Sequence, residues 1–408
     1  MNLKILQISS ELNVGSVGRI SEQIGDLIIT EGWESYIAYG REARESKSKS
    51  YRIGNKKDLI VHGIYTRLTD KHGFASKDAT KSLIEYVDSV NPDIIHLHHL
   101  HGYYINIEIL FNYLKNRNKP IVWTFHDCWS FTGHCAHYDF VGCEKWKSHC
   151  NKCPQLNEYP QSFVDNSFQN FKVKRELFTG VKNIHIVAVS HWIKSQVEQS
   201  FLSHLPCDVI QNGVDTTIFK PKELNNFRIK YNLENKKIIL GVASPWTEKK
   251  GLQIFCNISN QLGENEKVVL VGLSAKQISN LPKNILGIER TTNLNELVEL
   301  YSTADVFVNP TFEDSFPTTN LEAMACGTPV ITFKTGGSVE PISDTTGLIV
   351  AKGDEISLVN AIKTVLDNGK EKYSENCIRR IDENFNKNNC FDRYISLYKQ
   401  ISEIKIKG

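Results

Sequence analysis

Four of the ten cysteines in this chain of 408 residues lie close together, in the segment CAHYDFVGCEKWKSHCNKC (135–153). They are Cys135, Cys143, Cys150 and Cys153. The last two form a Cys-x-x-Cys pair, and four thiolates at such spacing are typical of a closed tetrahedral zinc site with no open position for catalysis. Neutral buried cysteines are the alternative, but Lys, His and Glu side chains alternate with these four. We therefore expect a structural zinc ion.

Two carboxylates accompany a predicted helix start in NPTFEDSFPTTNLEAMACGTPVITF (309–333). The helix should begin near Thr319, which forms a capping-box pattern with Glu322 three positions later. The free N–H groups of residues 320–322 and the positive helix end would then bind an anion such as phosphate. Asp314 and Glu322 would flank that anion. In the alternative interpretation, Glu322 only completes the cap and Asp314 is solvated.

A second helix start suited to an anion follows the strand pattern in GVASPWTEKKGLQIF (241–255). Lys249 and Lys250 stand at the turn, and a helix should begin beyond Gly251. A lysine at the start of a helix opposes the helix dipole, unless a bound phosphate neutralises its charge. Two such helix starts in one half of the chain favour a phosphate-containing ligand more strongly than either one alone.

Histidines follow two strand patterns in the first half of the chain. In TFHDCWSFTG (124–133), His126 and Asp127 come directly after a buried strand, and HLHHLHGYY (96–104) holds four histidines after another. Ligands of α/β proteins bind at the carboxyl ends of such strands. A hydrogen bond to the backbone is the alternative for His126. Metal binding by the four histidines is less favoured, because the sequence shows no adjacent set of carboxylates.

A glycine-rich turn precedes the first predicted helix, in ELNVGSVGRISEQI (11–24). Gly15 and Gly18 would let the backbone approach a phosphate closely. A tight turn without a ligand is the alternative, since one glycine-rich turn is weak evidence.

The elements that would position these residues alternate between short apolar runs and helix-length amphipathic segments. The strands predicted in the first half are 3–9, 93–98, 121–125 and 184–190, with helices at 17–30, 79–90, 105–117 and 191–202. After about residue 236 the alternation restarts, with strands at 237–242, 267–272, 305–309, 329–333 and 347–350. Near-continuous apolar runs are typical of parallel strands buried on both faces. We predict an α/β protein with two doubly wound, Rossmann-like domains.

The predicted domains are an N-terminal domain over 1–225 with a cysteine-rich insertion at 128–154, a C-terminal domain over 226–387, and a final helix over 388–408. The join falls in the polar stretch 219–237, where the apolar periodicity lapses. The final helix has a spaced apolar stripe that would pack on one of the two domains, with the N-terminal domain as the predicted partner.

Composition and charge exclude several classes of protein. The net charge of +2 gives no general attraction for nucleic acid or anionic membranes. No run of about eighteen apolar residues is present, and the strand pattern that starts at Leu3 leaves no room for a signal peptide. We therefore expect a cytoplasmic protein. The basic run REARESKSKSYRIGNKK (41–57) is either a solvated loop or a contact with anionic lipid headgroups.

Together these motifs resemble those of the family-four retaining glycosyltransferases of the GT-B fold, over nearly the whole chain. The family signature has two acidic residues eight positions apart, then a glycine and a Pro-Val strand, and here it appears as Asp314, Glu322 and AMACGTPV. The first acid is usually Glu. Its replacement by Asp314, with FPTTN in the loop, resembles the colanic-acid and surface-polysaccharide subgroup. The resemblance implies two Rossmann-like domains facing each other across a cleft.

The resemblance also implies that the second domain binds a nucleotide-diphosphate sugar. Glu322 should hydrogen-bond the ribose, Asp314 the donor sugar, and Lys250 the phosphates. The backbone amides of Thr318 and Thr319 should meet the pyrophosphate. The other donor-binding candidates are Gly15, Lys249, Leu294 and Phe316.

In the first domain, the resemblance assigns His126 to the donor sugar, where it would stabilise the transition state. The predicted catalytic residues are therefore His126, Asp314 and Lys250. The acceptor-side candidates are His98, His101 and Asp127. No catalytic metal is implied. The family's usual arginine a few residues before Lys250 is absent, and Lys249 would compensate for it.

The predicted function is transfer of a hexose, with retention of configuration, from a nucleotide-diphosphate sugar to a glycan or lipid-linked glycan in surface polysaccharide assembly. Peripheral contact with the inner face of the cytoplasmic membrane would accompany a lipid-linked acceptor. A nucleotide-sugar epimerase or a sugar phosphorylase of the same fold is the alternative. A nucleic-acid-binding zinc knuckle is disfavoured, because 135–153 has no basic stripe.

Overall fold

The computed structural model describes residues 2–222 and 226–407, with side chains through residue 403. The chain forms two compact units. Unit 1 comprises Met1–Gln211 with Phe391–Gly408, and unit 2 comprises Asn212–Cys390. Each unit is built on one parallel sheet with helices, which confirms the predicted α/β class with two doubly wound sheets.

The sheet of unit 1 has seven parallel strands in the order β3-β2-β1-β4-β5-β6-β7. The strands are β1 (Lys4–Ser9), β2 (Glu34–Tyr39), β3 (Lys49–Arg52), β4 (Ile94–Leu97), β5 (Ile121–Phe125), β6 (Ile184–Ala188) and β7 (Cys207–Val209). The chain builds outward from β1 in one direction and then, from β4, in the other. The carboxyl ends of β1 and β4 therefore flank a topological switch point, the usual place for a ligand in an open α/β sheet.

The helices of unit 1 cover the apolar strands. They are α1 (Gly15–Thr30), α2 (Lys56–Thr69), α3 (Lys77–Val90), α4 (Ile107–Lys115), α5 (Ser167–Thr179) and α6 (His191–Val197), with 3₁₀ turns at Trp129–Phe131 and Lys145–Lys147. Every residue of β5 is buried, as expected for a central parallel strand covered on both faces.

The sheet of unit 2 has six parallel strands in the order β10-β9-β8-β11-β12-β13. The strands are β8 (Lys237–Val242), β9 (Glu266–Val271), β10 (Ile285–Ile288), β11 (Val306–Asn309), β12 (Val330–Phe333) and β13 (Gly347–Val350). The helices are α7 (Asn226–Lys230), α8 (Leu252–Ser259), α9 (Ala275–Ser279), α10 (Leu294–Thr303), α11 (Thr318–Ala325), α12 (Glu355–Asn368) and α13 (Glu371–Asn384), with a 3₁₀ turn at Glu248–Lys250. Here the strand order reverses between β8 and β11, so their carboxyl ends flank a second switch point.

The last helix, α14 (Lys387–Lys407), begins in unit 2 and continues into unit 1. Within unit 1 its tyrosines reach the sheet: the Tyr394 hydroxyl lies 3.1 Å from Thr124 Oγ1, and the Tyr398 hydroxyl lies 2.6 Å from His96 Nδ1. His96 also contacts Thr124 Oγ1 through Nε2, at 2.8 Å. Both ring nitrogens of this fully buried histidine are therefore satisfied, which avoids the penalty for a buried unpaired polar group.

None of the helices in the described part of the chain combines the length and the apolarity needed to cross a bilayer.

Candidate active site

In unit 2, the helix start after β11 differs from the one predicted. The N-cap of α11 is Pro317, in an extended conformation (φ −70°, ψ 116°), and no side chain caps the helix. The predicted capping box of Thr319 and Glu322 is therefore wrong, and Asn320 N is not free because it donates to Pro317 O at 3.2 Å. A proline is well suited to this place, because it has no N–H to satisfy. The first helical amides, of Thr318 and Thr319, have no acceptor within the helix.

Two lysines from the turn after β8 pair with the two acids of the loop after β11. Lys250 Nζ lies 2.6 Å from Asp314 Oδ2, and Lys249 Nζ lies 2.8 Å from Glu313 Oε1. Glu313 is buried, whereas the Lys250 side chain retains 36% of its exposure. Because β8 and β11 are neighbours in the sheet, this arrangement places two cations and two carboxylates at the switch point of unit 2.

At two glycines, Gly336 and Gly251, the backbone packs closely against the loop that contains Asp314. Gly336 has a left-handed φ of +48°, and a Cβ atom there would overlap the carbonyl oxygen of Asp314, which accepts a 3.1 Å hydrogen bond from Gly337 N. Gly251 has a φ of +77°, and its Cβ would overlap the carbonyl of Pro310. Only glycine fits both the backbone conformation and the space at these two positions.

Glu322 is buried beneath the start of α11 rather than at its cap. Its Oε2 accepts a 2.9 Å hydrogen bond from the Tyr301 hydroxyl. Next to it, Asn320 is fully buried, accepts from Asn309 Nδ2 at 2.9 Å and donates to Ser338 O at 3.0 Å. These contacts link α11 to β11 and to the loop after β12, and they fix the orientation of the helix start.

Two further donor-binding candidates occupy different environments. Leu294 is the first residue of α10 and is 38% exposed, so its side chain is available to a ligand. Phe316 is buried, with its ring centroid 5.9 Å from that of Phe385. Its backbone N–H donates to Asp314 Oδ1 at 3.2 Å, so Phe316 orients the carboxylate through its main chain.

In unit 1, a chain of hydrogen bonds sets the protonation of His126. Gln7 Nε2 donates to Ser21 O at 2.9 Å, so Gln7 Oε1 faces His98 Nε2 at 3.0 Å and must accept from it. Burial lowers the pKa of both His98 and His126 well below the usual range, so both rings are neutral. His98 Nδ1 then accepts from His126 Nε2 at 3.1 Å. His126 therefore carries its proton on Nε2, and its Nδ1 is a hydrogen-bond acceptor.

Two more histidines lie close to the carboxylate of Asp127. Its Oδ2 lies 2.6 Å from His101 Nε2 and 3.2 Å from His99 Nε2, while Oδ1 accepts from Trp129 N at 2.9 Å. Burial alone would raise the pKa of Asp127, but the two histidines outweigh burial and hold that pKa well below its usual range. The carboxylate is thus ionised. The sequence showed no set of carboxylates near the histidines, and the structure brings one carboxylate, Asp127, to two of them.

Gly15 opens α1 directly after β1, with a left-handed φ of +64°. A Cβ atom there would lie 2.8 Å from Glu11 Oε2, so the glycine lets the Glu11 carboxylate lie against the turn. Burial raises the pKa of Glu11, although Arg41 at 3.9 Å acts in the opposite direction. The predicted acceptor-side candidates and His126 follow strands β4 and β5. In the sheet, β4 is the neighbour of β1 and β5 is the next strand, so these residues and the Gly15 turn follow adjacent strands.

The four clustered cysteines line one cavity of about 20 Å³ in unit 1. Gly133 N donates to Cys150 Sγ at 3.2 Å, and a hydrogen bond with Cys135 lowers the pKa of Cys153 to about 7. His134 lines the same cavity. Its Nδ1 contacts the buried Asp70, and its Nε2 is buried without a hydrogen-bond partner.

The side-chain atoms that lie close enough together to bind one metal ion are not those of the four cysteines. Within residues 2–222 and 226–403, only His99, His101 and Asp127 bring three such atoms within 4.8 Å of one another. The cysteine sulphurs do not meet that distance as a set of three. The zinc prediction for the cysteines therefore stays a prediction.

Several residues of these clusters were not singled out from the sequence. They are Gln7, His99, His134, Tyr301 and Glu313. A signal was present for two of them: Gln7 interrupts the apolar run LKILQIS, and His134 precedes Cys135. The predicted residues of unit 2 that the structure gathers at one switch point are Lys249, Lys250, Asp314, Thr318 and Thr319.

Two family profiles match this chain. Residues 29–218 match the profile described as Glycosyltransferase Family 4, and residues 236–368 match the profile described as Glycosyl transferases group 1. The two matched segments fall in different sheets, so both sheets carry the resemblance.

Individual proteins are similar over most or part of the chain. The colanic acid biosynthesis glycosyl transferase WcaC of Escherichia coli is 25% identical, over 88% of this chain and 90% of its own. The N,N'-diacetylbacillosaminyl-diphospho-undecaprenol alpha-1,3-N-acetylgalactosaminyltransferase of Campylobacter jejuni is 28% identical, over 42% of this chain and 46% of its own. The structure of Anabaena HepE in complex with UDP and glucose superposes with a TM-score of 0.69 at 14% identity, over 98% of this chain and all of that one.

Proposed function

Because the chain belongs to the glycosyltransferases that these two profiles describe, we propose that it transfers a hexose. The proposed donor is a nucleotide-diphosphate sugar, and the configuration of the sugar is retained. The proposed acceptor is a glycan or lipid-linked glycan of a surface polysaccharide, and the proposed location is the cytoplasm. The observation that carries the proposal is the group at the switch point of unit 2. Lysines and helix-start amides are suited to bind a diphosphate, and the Asp314 carboxylate is suited to accept hydrogen bonds from sugar hydroxyls.

The donor phosphates are assigned to cationic and N–H groups. Lys250 and the amides of Thr318 and Thr319 would bind the pyrophosphate, and the positive end of α11 would add to their effect. Pyrophosphate binding would draw Lys250 away from Asp314, and Asp314 would then accept hydrogen bonds from the sugar hydroxyls. Lys249 is already paired with buried Glu313, so we assign it to the support of the loop and to a weaker phosphate contact.

The nucleoside is assigned to residues of α10 and α11 in the same unit. Leu294 would form an apolar wall for the base, since it is exposed at the first position of α10. The family resemblance would have Glu322 bind the ribose directly. Because its Oε2 already accepts from Tyr301, Glu322 would use its remaining acceptor positions for the ribose hydroxyls.

Transfer breaks the bond between the anomeric carbon and the donor phosphate, and the leaving nucleoside diphosphate must be neutralised while a short-lived oxocarbenium ion is exposed to the acceptor hydroxyl. Preorganised positive groups at the phosphate are the largest expected contribution to the rate. In unit 1 we assign the sugars to His126, whose Nδ1 accepts a hydrogen bond from a hydroxyl, and to ionised Asp127 with His101. The hydrogen-bonding atoms of these three side chains are held in place by neighbouring residues, so the side chains need little reorganisation during transfer.

Donor binding without a divalent metal is the first test. In a panel of UDP-, GDP- and ADP-sugars with EDTA present, we expect one donor to raise the melting temperature, because Lys250 and the start of α11 supply the positive charge. The same donor should transfer its sugar with the anomeric configuration retained. Interconversion of donors without an acceptor would support an epimerase instead, and release of sugar 1-phosphate by inorganic phosphate would support a phosphorylase. An inverted product or a strict metal requirement would refute the proposal.

We also propose a structural zinc ion on Cys135, Cys143, Cys150 and Cys153, with His134 as a further candidate ligand. The donor types suit zinc, because the side chains that line the cavity include four soft thiols and an N–H group from Gly133 supports one of them; zinc binding would draw the sulphurs closer together. His134 Nε2 faces no other partner, and the contact of its Nδ1 with Asp70 is the usual support for a metal-binding histidine. Bound zinc would cross-link the segment after β5, and no step of transfer depends on it.

Metal analysis tests the zinc proposal. Protein purified under reducing conditions without chelators should contain about one zinc per chain. Cys150→Ser should lower the zinc content and the melting temperature, because one thiolate ligand is lost. Cys256→Ser is the matched control, since that cysteine is half-buried in α8 of unit 2 and should change neither. Fully stable wild-type protein without zinc would contradict the proposal.

A further inference from the structure

Helix α2 has its apolar side chains on the outside. Ile60, Val61, Ile64 and Leu68 retain 62%, 63%, 56% and 59% of their exposure. Their spacing of one, three and four positions places them on one face of the helix. A helix that covers a protein core normally buries such a stripe.

The buried side of α2 is polar. Its buried residues are His62 and Thr66. His62 Nδ1 lies 2.8 Å from Ser76 Oγ, and His62 Nε2 accepts from Gly73 N at 3.1 Å. These polar contacts hold α2 on unit 1. They also fix its orientation, so that the aliphatic face points toward solvent.

Positive charges flank the aliphatic face. Lys56 and Lys57 are exposed at the first turn of α2, and Arg67 and Lys71 are exposed at its other end. The acids of the same segment are engaged elsewhere. Asp58 completes a capping box with Asn55, and Asp70 is fully buried against His134. The exposed face is therefore apolar in the middle and cationic at both ends.

A second exposed apolar segment adjoins the end of α2. Phe163 is 68% exposed and Val164 is 44% exposed. Phe163 N donates to Arg67 O at 2.8 Å, and the Arg67 guanidinium lies 5.3 Å from the centre of the Phe163 ring. The aromatic ring is thus held beside the aliphatic face and the basic residues, where it would enlarge the same surface.

We infer that α2 and residues 163–164 bind an anionic membrane surface. An amphipathic helix with aliphatic residues on its outer face and lysines at its edges inserts its apolar side chains between headgroups, while the cations contact anionic lipids. Four cations at the ends of this face favour an anionic bilayer over a protein partner, and the exposed acid that follows Val164, Asp165, already accepts hydrogen bonds from Cys153 N and Ser167 N. The inference rests on the proposed function in one respect: a lipid-linked acceptor would lie in such a surface.

The basic run 41–57, considered from the sequence as a lipid contact, is a weaker candidate. Arg41 pairs with Glu11, Lys47 with Asp26 and Lys49 with Glu34. Lys49 also begins β3, so part of the run is a strand. Only its last two lysines, at the start of α2, belong to the surface proposed here.

Vesicle sedimentation tests the inference on the full-length protein. Wild-type protein should bind phosphatidylglycerol vesicles more tightly than phosphatidylcholine vesicles, and less tightly as salt increases. Ile64→Gln with Leu68→Gln should weaken binding roughly tenfold, because two aliphatic side chains no longer enter the bilayer. Lys56→Gln with Lys57→Gln should weaken binding to anionic vesicles by roughly thirtyfold at low salt and leave the weak binding to neutral vesicles unchanged. Ile356→Gln, at an aliphatic residue 73% exposed on α12 of unit 2, is the matched control.

Donor-induced thermal shift in the same variants separates this inference from the proposed function. All variants should keep the wild-type shift, since none of the substituted residues belongs to the donor group. Equal binding of wild-type protein to both kinds of vesicle would overturn the membrane inference. The membrane inference would also be overturned if Ile64→Gln with Leu68→Gln bound vesicles as the wild type does but no longer formed a dimer seen by light scattering. The face would then bind a second copy of the chain.

Discussion

Replacing Lys250 by alanine should lower the rate of sugar transfer by about two to three orders of magnitude. The ammonium is the more exposed of the two cations at the switch point of unit 2, and it lies 2.6 Å from Asp314. Without it, only backbone amides and a lysine already paired with Glu313 would neutralise the charge that develops on the leaving nucleoside diphosphate. Initial rates with the donor identified in the panel would measure the effect, as turnover at saturating donor.

Three variants make that experiment specific. Lys250→Arg should recover part of the rate, because it keeps the charge. Lys363→Ala removes an exposed lysine from α12 and should have the wild-type rate. The melting temperature of Lys250→Ala should stay close to that of the wild type, since a partly exposed ion pair contributes little to folding. Full activity in Lys250→Ala would refute the proposed role of the ammonium.

Gly336→Ala should abolish donor binding and destabilise unit 2. A methyl group there would overlap the Asp314 carbonyl, and the left-handed φ adds backbone strain, so we expect a loss of about 2–4 kcal/mol in the free energy of unfolding. The loop would relieve the overlap by moving Asp314 away from Lys250. Chemical denaturation would measure the stability, and the donor-induced thermal shift would measure binding.

The control for this substitution lies in the same unit. A Cβ at Gly263 would have its nearest neighbour at 3.7 Å and no left-handed φ is required there, so Gly263→Ala should keep both stability and donor binding. A Gly336→Ala variant that binds donor normally would show that the close approach to Asp314 is not needed for the site.

Strands with an unbroken apolar run were mostly predictable, and strands of mixed or polar sequence were not. The run IVWTF matches β5, because a strand covered on both faces is apolar throughout. In contrast, β2 (ESYIAY) and β3 (KSYR) are mixed or polar, and neither was predicted. Helix α2 was missed for a related reason: its aliphatic residues face outward, and its polar first turn continues a basic run.

The residues of the site were predictable by type and by place along the chain, but not their pairings. His96, His98 and His101 fall within six positions, yet the first bonds to Tyr398, the second to Gln7 and the third to Asp127. His96 and His98 lie on the same side of the strand, with ring centroids 4.1 Å apart, but their partners come from remote segments that the local pattern does not show. The capping box failed because Pro317 takes the N-cap and Glu322 is turned toward Tyr301.

The division of unit 1 into two stretches of chain has a consequence for synthesis on the ribosome. Residues 391–403 are translated only after the whole of unit 2, and Tyr398 completes the hydrogen bonding of His96 across 302 positions of sequence. Until then, the sheet of unit 1 lacks the helix that packs against the His96 ring and supplies the hydrogen-bond partner of its Nδ1. Unit 2, whose residues are contiguous, has all its strands available earlier. The nascent chain should therefore complete unit 2 first, and unit 1, whose first residues are made earliest, should mature last.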